Sequence, residues 1–340
     1  MALLNRGLFL DAQHNLELRE CPVREPGRGE LLVGIRANGI CGSDVHFFKE
    51  GRLGNFVVTG PYIPGHEASG TVVAVGPETK RFKEGDNVVI EPGFPCGQCS
   101  FCKSGRYNLC PDVIFLSAPP INGTFCDYVV LPESFAHRMP DGMSFETAAV
   151  AEPAAVAVHA VNRACFRNGA DGVIVGAGPI GLLTLQAFKA AGGGRTMCVD
   201  IAAKRLEIAA KLGADSIVDL SCDSAPRNAG DVVFETAGSA SASSRLFSMA
   251  KPGGTVVQIG WPGGGIVNMD IAEFLDKELD YLGVNRYANA FPAAIGWLAD
   301  GRIRTEGFIS HRFPLSRADE AFRFAADNGG EAVKIIVYND

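Results

Sequence analysis

The chain has 340 residues, more than most single cores contain, so its length favours two domains. Its 31 basic and 38 acidic residues give a net charge of -7, which opposes a phosphate backbone and argues against nucleic acid as a partner. No stretch reaches the roughly 18 apolar residues of a membrane span, and the N-terminus lacks the pattern of a secretory signal. We therefore expect a cytoplasmic protein without a membrane partner.

The first 150 residues or so contain short apolar runs separated by turn residues. Such runs are LLVGI at 31–35, SGTVVAVG at 69–76 and DNVVI at 86–90. Short strands between glycine and proline turns are typical of antiparallel sheets. This part of the chain is therefore predicted to be a barrel-like domain of mainly β structure.

From about residue 172 the pattern changes to an alternation of strands and helices. DGVIV is followed by a glycine turn, an apolar helix and the strand TMCVD, and the alternation continues to LDYLGV. A parallel sheet with crossover helices requires this order of elements. The chain ends in EAVKIIVYND, a strand-like segment that we expect to return to the first domain.

The stretch CGSDVHFFKEGRLGNFVVTGPYIPGHE begins at Cys41 and ends with His66 and Glu67. One thiol, one imidazole and one carboxylate leave a fourth position for water or substrate, as in a catalytic zinc site. On these three residues alone, an inert buried cysteine and a structural histidine are the preferred alternative. The motifs that follow favour the zinc site.

Four cysteines with the spacing C-x2-C-x2-C-x7-C follow: Cys96, Cys99, Cys102 and Cys110. Four thiolates can close a tetrahedral zinc shell, which predicts a structural site without an open position. In a reducing compartment such a cluster indicates a metal and not disulfides. The alternatives are unrelated free thiols or an iron–sulfur cluster, whose usual spacing this sequence lacks.

The glycine turn after DGVIV matches the dinucleotide pattern G-x-G-x-x-G. Its residues are Gly176, Gly178, Pro179, Ile180 and Gly181. Asp200 ends the next strand roughly 20 residues on, where a carboxylate binds the adenosine ribose and repels a 2'-phosphate. NAD is therefore predicted in preference to NADP, although Arg205 leaves NADP use open. The alternative is a glycine turn that serves only helix packing.

GICGSDVH, PGHEASGTVVAVG, the four cysteines and VGAGPIG occur in the order seen in zinc-containing medium-chain dehydrogenases/reductases, and the chain resembles this family over essentially its whole length. The resemblance implies an α/β Rossmann domain with a parallel six-stranded sheet, at residues 154–288. It also implies a discontinuous, mainly β, GroES-like catalytic domain at 1–153 and 289–340. Both zinc ions would belong to the catalytic domain, and the chain would form a homodimer or a homotetramer, as relatives do.

Within the family, AVAEPAAV resembles the polyol dehydrogenase branch, because it offers Glu152 where alcohol dehydrogenases supply a second cysteine. CGSDVHFFKEGRLGNFVV, APPINGTFCDYV and LGVNRYANAFP are similar to sorbitol and xylitol dehydrogenases. The resemblance implies a catalytic zinc held by Cys41, His66 and Glu67, with Glu152 bound through water. It implies these substrate contacts: Phe47, Phe115, Glu152, Arg286 and Tyr287. Relatives commonly have Tyr at the position of Phe47.

The same resemblance implies a proton route through Ser43 and His46, with a water-bound Glu152 as the alternative, and nicotinamide contacts at Gly260 and Val284. The predicted reaction transfers hydride from a secondary hydroxyl of a polyol to NAD and yields a ketose. The same chemistry on L-idonate, L-threonine or a vicinal diol is the alternative within the family. A relative that keeps the fold without catalysis is a further alternative, although such relatives usually lack the zinc ligands.

Overall fold

The computed structural model describes residues 3–328 and 332–340, and the chain divides into two compact units. The first unit is Met1–Glu152 with Ile309–Asp340, and the second unit is Pro153–Phe308. Across the described ranges, no helix combines the length and the hydropathy needed to cross a membrane.

The first unit consists mainly of short strands. Its strands are β1 Leu4–Leu10, β2 Leu16–Pro22, β3 Glu30–Gly39, β4 Arg52–Leu53, β5 Phe56–Val57, β6 Glu67–Val75, β7 Asn87–Ile90, β8 Gly93–Phe94, β9 Ile114–Phe115, β10 Tyr128–Pro132, β11 Ala136–Arg138, β18 Ile309–Pro314 and β19 Lys334–Tyr338. Its helices are α1 Gly42–Glu50, α2 Ser100–Lys103, α3 Phe145–Ala149 and α11 Ala318–Asp327, with 3-10 turns at Tyr107–Leu109, Glu133–Phe135 and Leu315–Arg317. The helix α4, Ala151–Ala164, begins at the end of this segment.

The main sheet of the first unit has seven strands in the order β11-β7-β6-β3-β19-β18, with β10 also paired to β3. The C-terminal strand β19 pairs antiparallel with β3, so the end of the chain returns to the first unit as expected. Buried apolar side chains of β3, β7 and β10 form one core, which includes Leu31, Val33, Val88, Ile90 and Leu131. The long central strand β3 therefore joins β6 on one side to β19 on the other.

The second unit alternates strands and helices. Its strands are β12 Gly172–Val175, β13 Thr196–Asp200, β14 Ser216–Asp219, β15 Gly230–Glu235, β16 Ala250–Gln258 and β17 Asp280–Gly283. Its helices after α4 are α5 Pro179–Ala190, α6 Ala203–Lys211, α7 Ala240–Ser243, α8 Leu246–Met249, α9 Ile271–Asp276 and α10 Phe291–Ala299.

These strands form one parallel sheet in the order β14-β13-β12-β15-β16-β17, which confirms the predicted six-stranded sheet. The strand order reverses next to β12, and ligands of such sheets bind at the carboxyl ends of the strands near this switch point. Val173, Val199, Val233 and Val256 are buried, because parallel strands are covered by helices on both faces.

The second unit ends at Phe308, later than the predicted boundary at 289. The intervening segment packs on the parallel sheet's own helices. The Gln186 amide of α5 accepts a hydrogen bond from Arg304 N (2.8 Å) and donates one to Arg304 O (3.3 Å). Phe291 and Ala294 of α10 are buried. Composition alone did not reveal this anchoring, since it depends on a contact between residues 118 positions apart.

Candidate metal and cofactor sites

Cys41, His66 and Glu67 converge in the first unit. Cys41 is the N-cap of α1, and His66 precedes Glu67, the first residue of β6. One ligand atom from each lies within 4.8 Å of the other two, and both His66 and Glu67 are buried. A thiolate, an imidazole and a carboxylate are the donors that zinc prefers, so this group fits a zinc ion with one position left open.

Asp44 lies behind this group and is fully buried. Its carboxylate accepts hydrogen bonds from Ser117 Oγ (2.8 Å), Cys41 N (3.1 Å) and Gly65 N (3.3 Å), and its Oδ1 lies 3.6 Å from His66 Nδ1. Burial opposes ionisation, but His66 and these hydrogen bonds lower the pKa of Asp44 below its ordinary value. A carboxylate in this position fixes the orientation of the imidazole ring and leaves the other ring nitrogen for a metal.

Lys334 contacts the opposite side of the group. Its Nζ lies 2.7 Å from Glu67 Oε2 and 2.9 Å from Glu67 Oε1, and it donates to Ile40 O at 3.1 Å. Burial disfavours its charge, but Glu67, Cys41 and Glu152 raise the pKa of Lys334 above its ordinary value. The Glu67 side chain therefore has a buried cation partner in the protein itself.

Glu152 is buried and is the second residue of α4. It does not belong to the converging group of ligand atoms, which contains Glu67. Its charge nevertheless acts on Lys334. The geometry favours Glu67 as the direct ligand, and a contact of Glu152 through water remains a prediction.

Ser43 and His46 lie on α1, three residues apart, which places them on one face of the helix. His46 is 44% exposed, and its Nδ1 lies 3.2 Å from Glu50 Oε1 on the next turn. The helix thus connects the neighbourhood of Cys41 with solvent, as a proton route requires.

The two predicted aromatic contacts lie in different surroundings. The half-buried Phe115 ring lies 5.6 Å from the His66 ring, beside the candidate zinc group. Phe47 is 4% exposed and packs with Leu10 and Val58, with its ring 6.3 Å from that of Tyr62. Phe115 thus lies beside the candidate zinc group and Phe47 lies in a packed cluster, and the substrate contact of each stays a prediction.

The four cysteines of the second candidate site also converge, with ligand atoms within 4.8 Å of one another. Cys99 and Cys102 sulfurs lie 3.4 Å apart, and the short helix α2 connects them. Hydrogen bonds from the backbone of Gln98 and Cys99 lower the pKa of Cys96 to about 7. Four thiols on one compact loop fit a zinc ion without an open position.

The glycine turn of the second unit has the form that a pyrophosphate needs. Gly176 has a φ of 100°, and a side chain there would press against the backbone of Ala237. A side chain at Gly181 would collide with Gly176 O, whereas one at Gly178 would meet only Arg205 Nη1, 3.8 Å away. Gly178 thus leaves its surroundings open for a ligand, and Pro179 and Ile180 begin α5 beside it.

Asp200 ends β13 next to this turn. Its Oδ2 accepts a hydrogen bond from Ala177 N (2.6 Å), and its Oδ1 accepts from Ile201 N (2.7 Å) and Ala202 N (2.9 Å). These bonds fix a carboxylate where the adenosine ribose binds in this type of fold. Arg205 of α6 lies near Gly178, with its Nη1 3.8 Å from where a side chain at Gly178 would begin.

Glu235 ends β15 at the carboxyl edge of the sheet and is fully buried. It accepts hydrogen bonds from Ala237 N (3.1 Å), Gly238 N (3.0 Å) and Gln258 Nε2 (2.7 Å). Burial outweighs these bonds and raises its pKa to about 7. The carboxyl group thereby bridges the ends of β15 and β16 by hydrogen bonds.

The remaining predicted residues lie around the same edge of the sheet. A side chain at Gly260 would collide with Gly238 N, so the two loops pack backbone to backbone. Val284 follows β17 and donates its N–H to Gln258 O at 3.0 Å. Arg286 has a φ of 54°, and Tyr287 is buried with its ring 5.1 Å from Phe291.

Sequence reasoning missed three of these groups: Asp44, Lys334 and Glu235. In the sequence, Asp44 resembles an ordinary helix-capping residue three positions after Cys41. Glu235 resembles an ordinary polar residue at the end of a strand. Lys334 had one available signal, a lysine inside the apolar run AVKIIVY, where an unpaired charge is costly.

Residues 27–141 match the model of the alcohol dehydrogenase GroES-like domain, and residues 179–300 match that of zinc-binding dehydrogenases. Sorbitol dehydrogenase of Bacillus subtilis (strain 168) is 38% identical over 331 residues, which cover 95% of this chain and 94% of the relative.

Two solved structures share the fold over nearly the whole chain. L-idonate 5-dehydrogenase from Escherichia coli superposes with a TM-score of 0.93 at 31% identity and covers 99% of both chains. The 2R,3R-butanediol dehydrogenase from Bacillus subtilis has a TM-score of 0.89 at 28% identity, with 99% of this chain and 100% of the other covered.

Proposed function

Because this chain belongs to the zinc-binding dehydrogenases, on the polyol dehydrogenase branch, we propose that it oxidises a secondary hydroxyl of a sugar alcohol to a ketone with NAD as hydride acceptor. The observation that carries this proposal is the convergence of Cys41, His66 and Glu67 within 4.8 Å. Donors this close, two of them buried, form a site for one metal ion with an open position for a substrate oxygen.

In the proposed reaction, a zinc ion supplies a Lewis acid that lowers the pKa of the substrate hydroxyl, and the nicotinamide accepts the hydride. Cys41, His66 and Glu67 hold the ion. Asp44 keeps the His66 ring in one orientation through the close approach of Oδ1 to Nδ1. The Phe115 ring, 5.6 Å from that of His66, is proposed to keep water from this side of the site.

The substrate hydroxyl must lose its proton, and α1 offers an exit. Ser43 follows Cys41 by two residues, and His46 lies one turn further on, in contact with solvent and with Glu50. The His46 side chain reaches solvent, so it is suited to pass the proton to water. Glu152 is the alternative proton acceptor, through a water molecule.

Asp200 supports the proposed preference for NAD. Three backbone N–H groups bond to its carboxylate and hold the negative charge at the end of β13. A ribose diol can donate hydrogen bonds to the remaining lone pairs, whereas a 2'-phosphate would meet like charge. Arg205 lies near Gly178 and is proposed to contribute to the phosphate side of the cofactor.

The substrate class is tested with a panel of alcohols in the presence of NAD, by the rate of NADH formation. We expect turnover of sorbitol or xylitol, with kcat/KM at least tenfold above that of L-idonate, L-threonine and 2,3-butanediol. A preference for one of the last three would keep the chemistry and replace the substrate. Two zinc ions per chain with no turnover of any alcohol would refute the proposed activity.

A further inference from the structure

Lys334 is a charged residue inside an apolar strand. It is 2% exposed, and its neighbours Val333 and Ile335 are buried in the core. Its ammonium group contacts both oxygens of Glu67 and the carbonyl of Ile40 within 3.1 Å. Burying an ammonium group is costly unless it is paired, so this position requires a specific partner.

The arrangement of strands in the sheet allows the Glu67 carboxylate to reach Lys334. Strand β3 lies between β6 and β19, and Gly39 of β3 is opposite Glu67 on one side and Ile336 on the other. A side chain at Gly39 would collide with the Glu67 carboxylate. The missing side chain therefore leaves a path across β3, along which the carboxylate reaches Lys334.

Three buried carboxyl groups lie in this region: Glu67, Glu152 and Asp44. Glu67, Cys41 and Glu152 all act on Lys334 electrostatically, and Asp44 is bonded to the backbone of Cys41. Without a metal ion, Lys334 is in direct contact with Glu67 and compensates its charge, whereas His66 faces Asp44. With a metal ion in the group, the Glu67 carboxylate interacts with two cations, the ion and Lys334. The presence of either cation weakens the interaction of Glu67 with the other one.

We propose that Lys334 is a positioning residue that controls metal binding at the group of Cys41, His66 and Glu67. It holds Glu67 in place before the ion arrives and, by sharing the carboxylate afterwards, keeps Glu67 a weak and displaceable ligand. The inference rests on the proposed function in one respect, namely that a metal ion occupies this group.

A thermodynamic cycle gives the direction of the effect. Removing the ammonium charge leaves Glu67 buried and uncompensated in the metal-free protein, whereas in the loaded protein the ion supplies the opposite charge. The metal-free state is thus destabilised more than the loaded state. Metal affinity therefore rises when the charge of Lys334 is removed.

The experiment compares Lys334→Gln, which keeps hydrogen-bond donors without the charge, with Lys334→Met and with wild type. The holoenzyme is titrated with a zinc chelator, and cobalt(II) exchanged into the protein is followed by its visible absorption. Lys251→Met is the matched control, because it breaks a lysine ion pair with Asp171 and Asp231 in the second unit.

We expect both Lys334 variants to hold the metal at Cys41, His66 and Glu67 at least tenfold more tightly, equivalent to about 1.4 kcal/mol. The cobalt bands should shift as Glu67 binds the ion more strongly, and Lys251→Met should match wild type. If wild type binds two metal ions and a folded Lys334 variant binds the metal no more tightly than wild type, this inference is wrong, but the proposed function is unaffected. A wild type that binds only one metal ion would overturn it together with the proposed function.

Discussion

The substitution Asp44→Asn tests how strongly the buried carboxylate orients the candidate zinc ligands. Asp44 accepts hydrogen bonds from Ser117, Gly65 and Cys41 and approaches His66 Nδ1 to 3.6 Å. An asparagine keeps the shape but must turn its NH2 group toward a donor. At least one charge-assisted hydrogen bond is then lost, at a cost of about 1.5–3 kcal/mol.

The same substitution removes the charge that faces His66. Loss of such a partner typically lowers metal affinity by about 10- to 100-fold, equivalent to about 1.4–2.7 kcal/mol. We therefore expect Asp44→Asn to release zinc to a chelator at correspondingly lower concentration and to lose kcat/KM in parallel. Ser117→Ala is the control, because it removes one donor to Asp44 but leaves the charge that faces His66; it should cost about 1.5–3 kcal/mol of stability and leave zinc affinity close to wild type.

The assay measures zinc retention against a competing chelator, together with the free energy of unfolding in urea. If Asp44→Asn kept wild-type zinc affinity and merely unfolded at lower urea concentration, Asp44 would be a capping residue of α1. The account of the His66 orientation would then be refuted.

Three further substitutions test the cofactor site, the buried carboxyl and the four-cysteine site. Asp200→Ala should raise the ratio of NADP to NAD kcat/KM at least tenfold, because it removes the charge that repels a 2'-phosphate; an unchanged ratio would contradict the ribose role. Glu235 has a pKa of about 7, so its contribution to stability is full below the ordinary carboxyl pKa and is lost as the pH rises through 7. Between pH 5 and 8, wild type should therefore lose about 2.5 kcal/mol of unfolding free energy relative to Glu235→Gln, and parallel urea profiles would argue against this burial effect. Cys102→Ser should release one zinc per chain and lower Tm, while full zinc content would indicate that the four thiols do not form the site.

The fold was predictable because its signals are local. The run DGVIV, the glycine turn and the apolar helix follow one another directly, and the structure has β12 and α5 at these positions. The four cysteines lie on one loop, so their spacing alone brings them together. The convergence of Cys41 with His66 and Glu67 was implied by resemblance to a family, since no short-range pattern connects residue 41 with residue 67.

The features that were missed depend on pairing between distant strands. Glu67 and Lys334 are 267 positions apart and meet only because β3 lies between their strands. The boundary at Phe308 likewise depends on the contact between Gln186 and Arg304. Phe47 packs with Leu10 and Val58, and its contact with a substrate, implied by the family resemblance, stays a prediction.

The central claim is that Cys41, His66 and Glu67 hold the metal on which turnover depends. It is tested most directly by zinc content, NADH binding and polyol turnover in Cys41→Ser, with Cys165→Ser, the loss of an exposed thiol, as control. We predict that zinc falls from two ions per chain to one and turnover is lost, while NADH binds as in wild type. Two retained zinc ions with undiminished turnover would contradict the account.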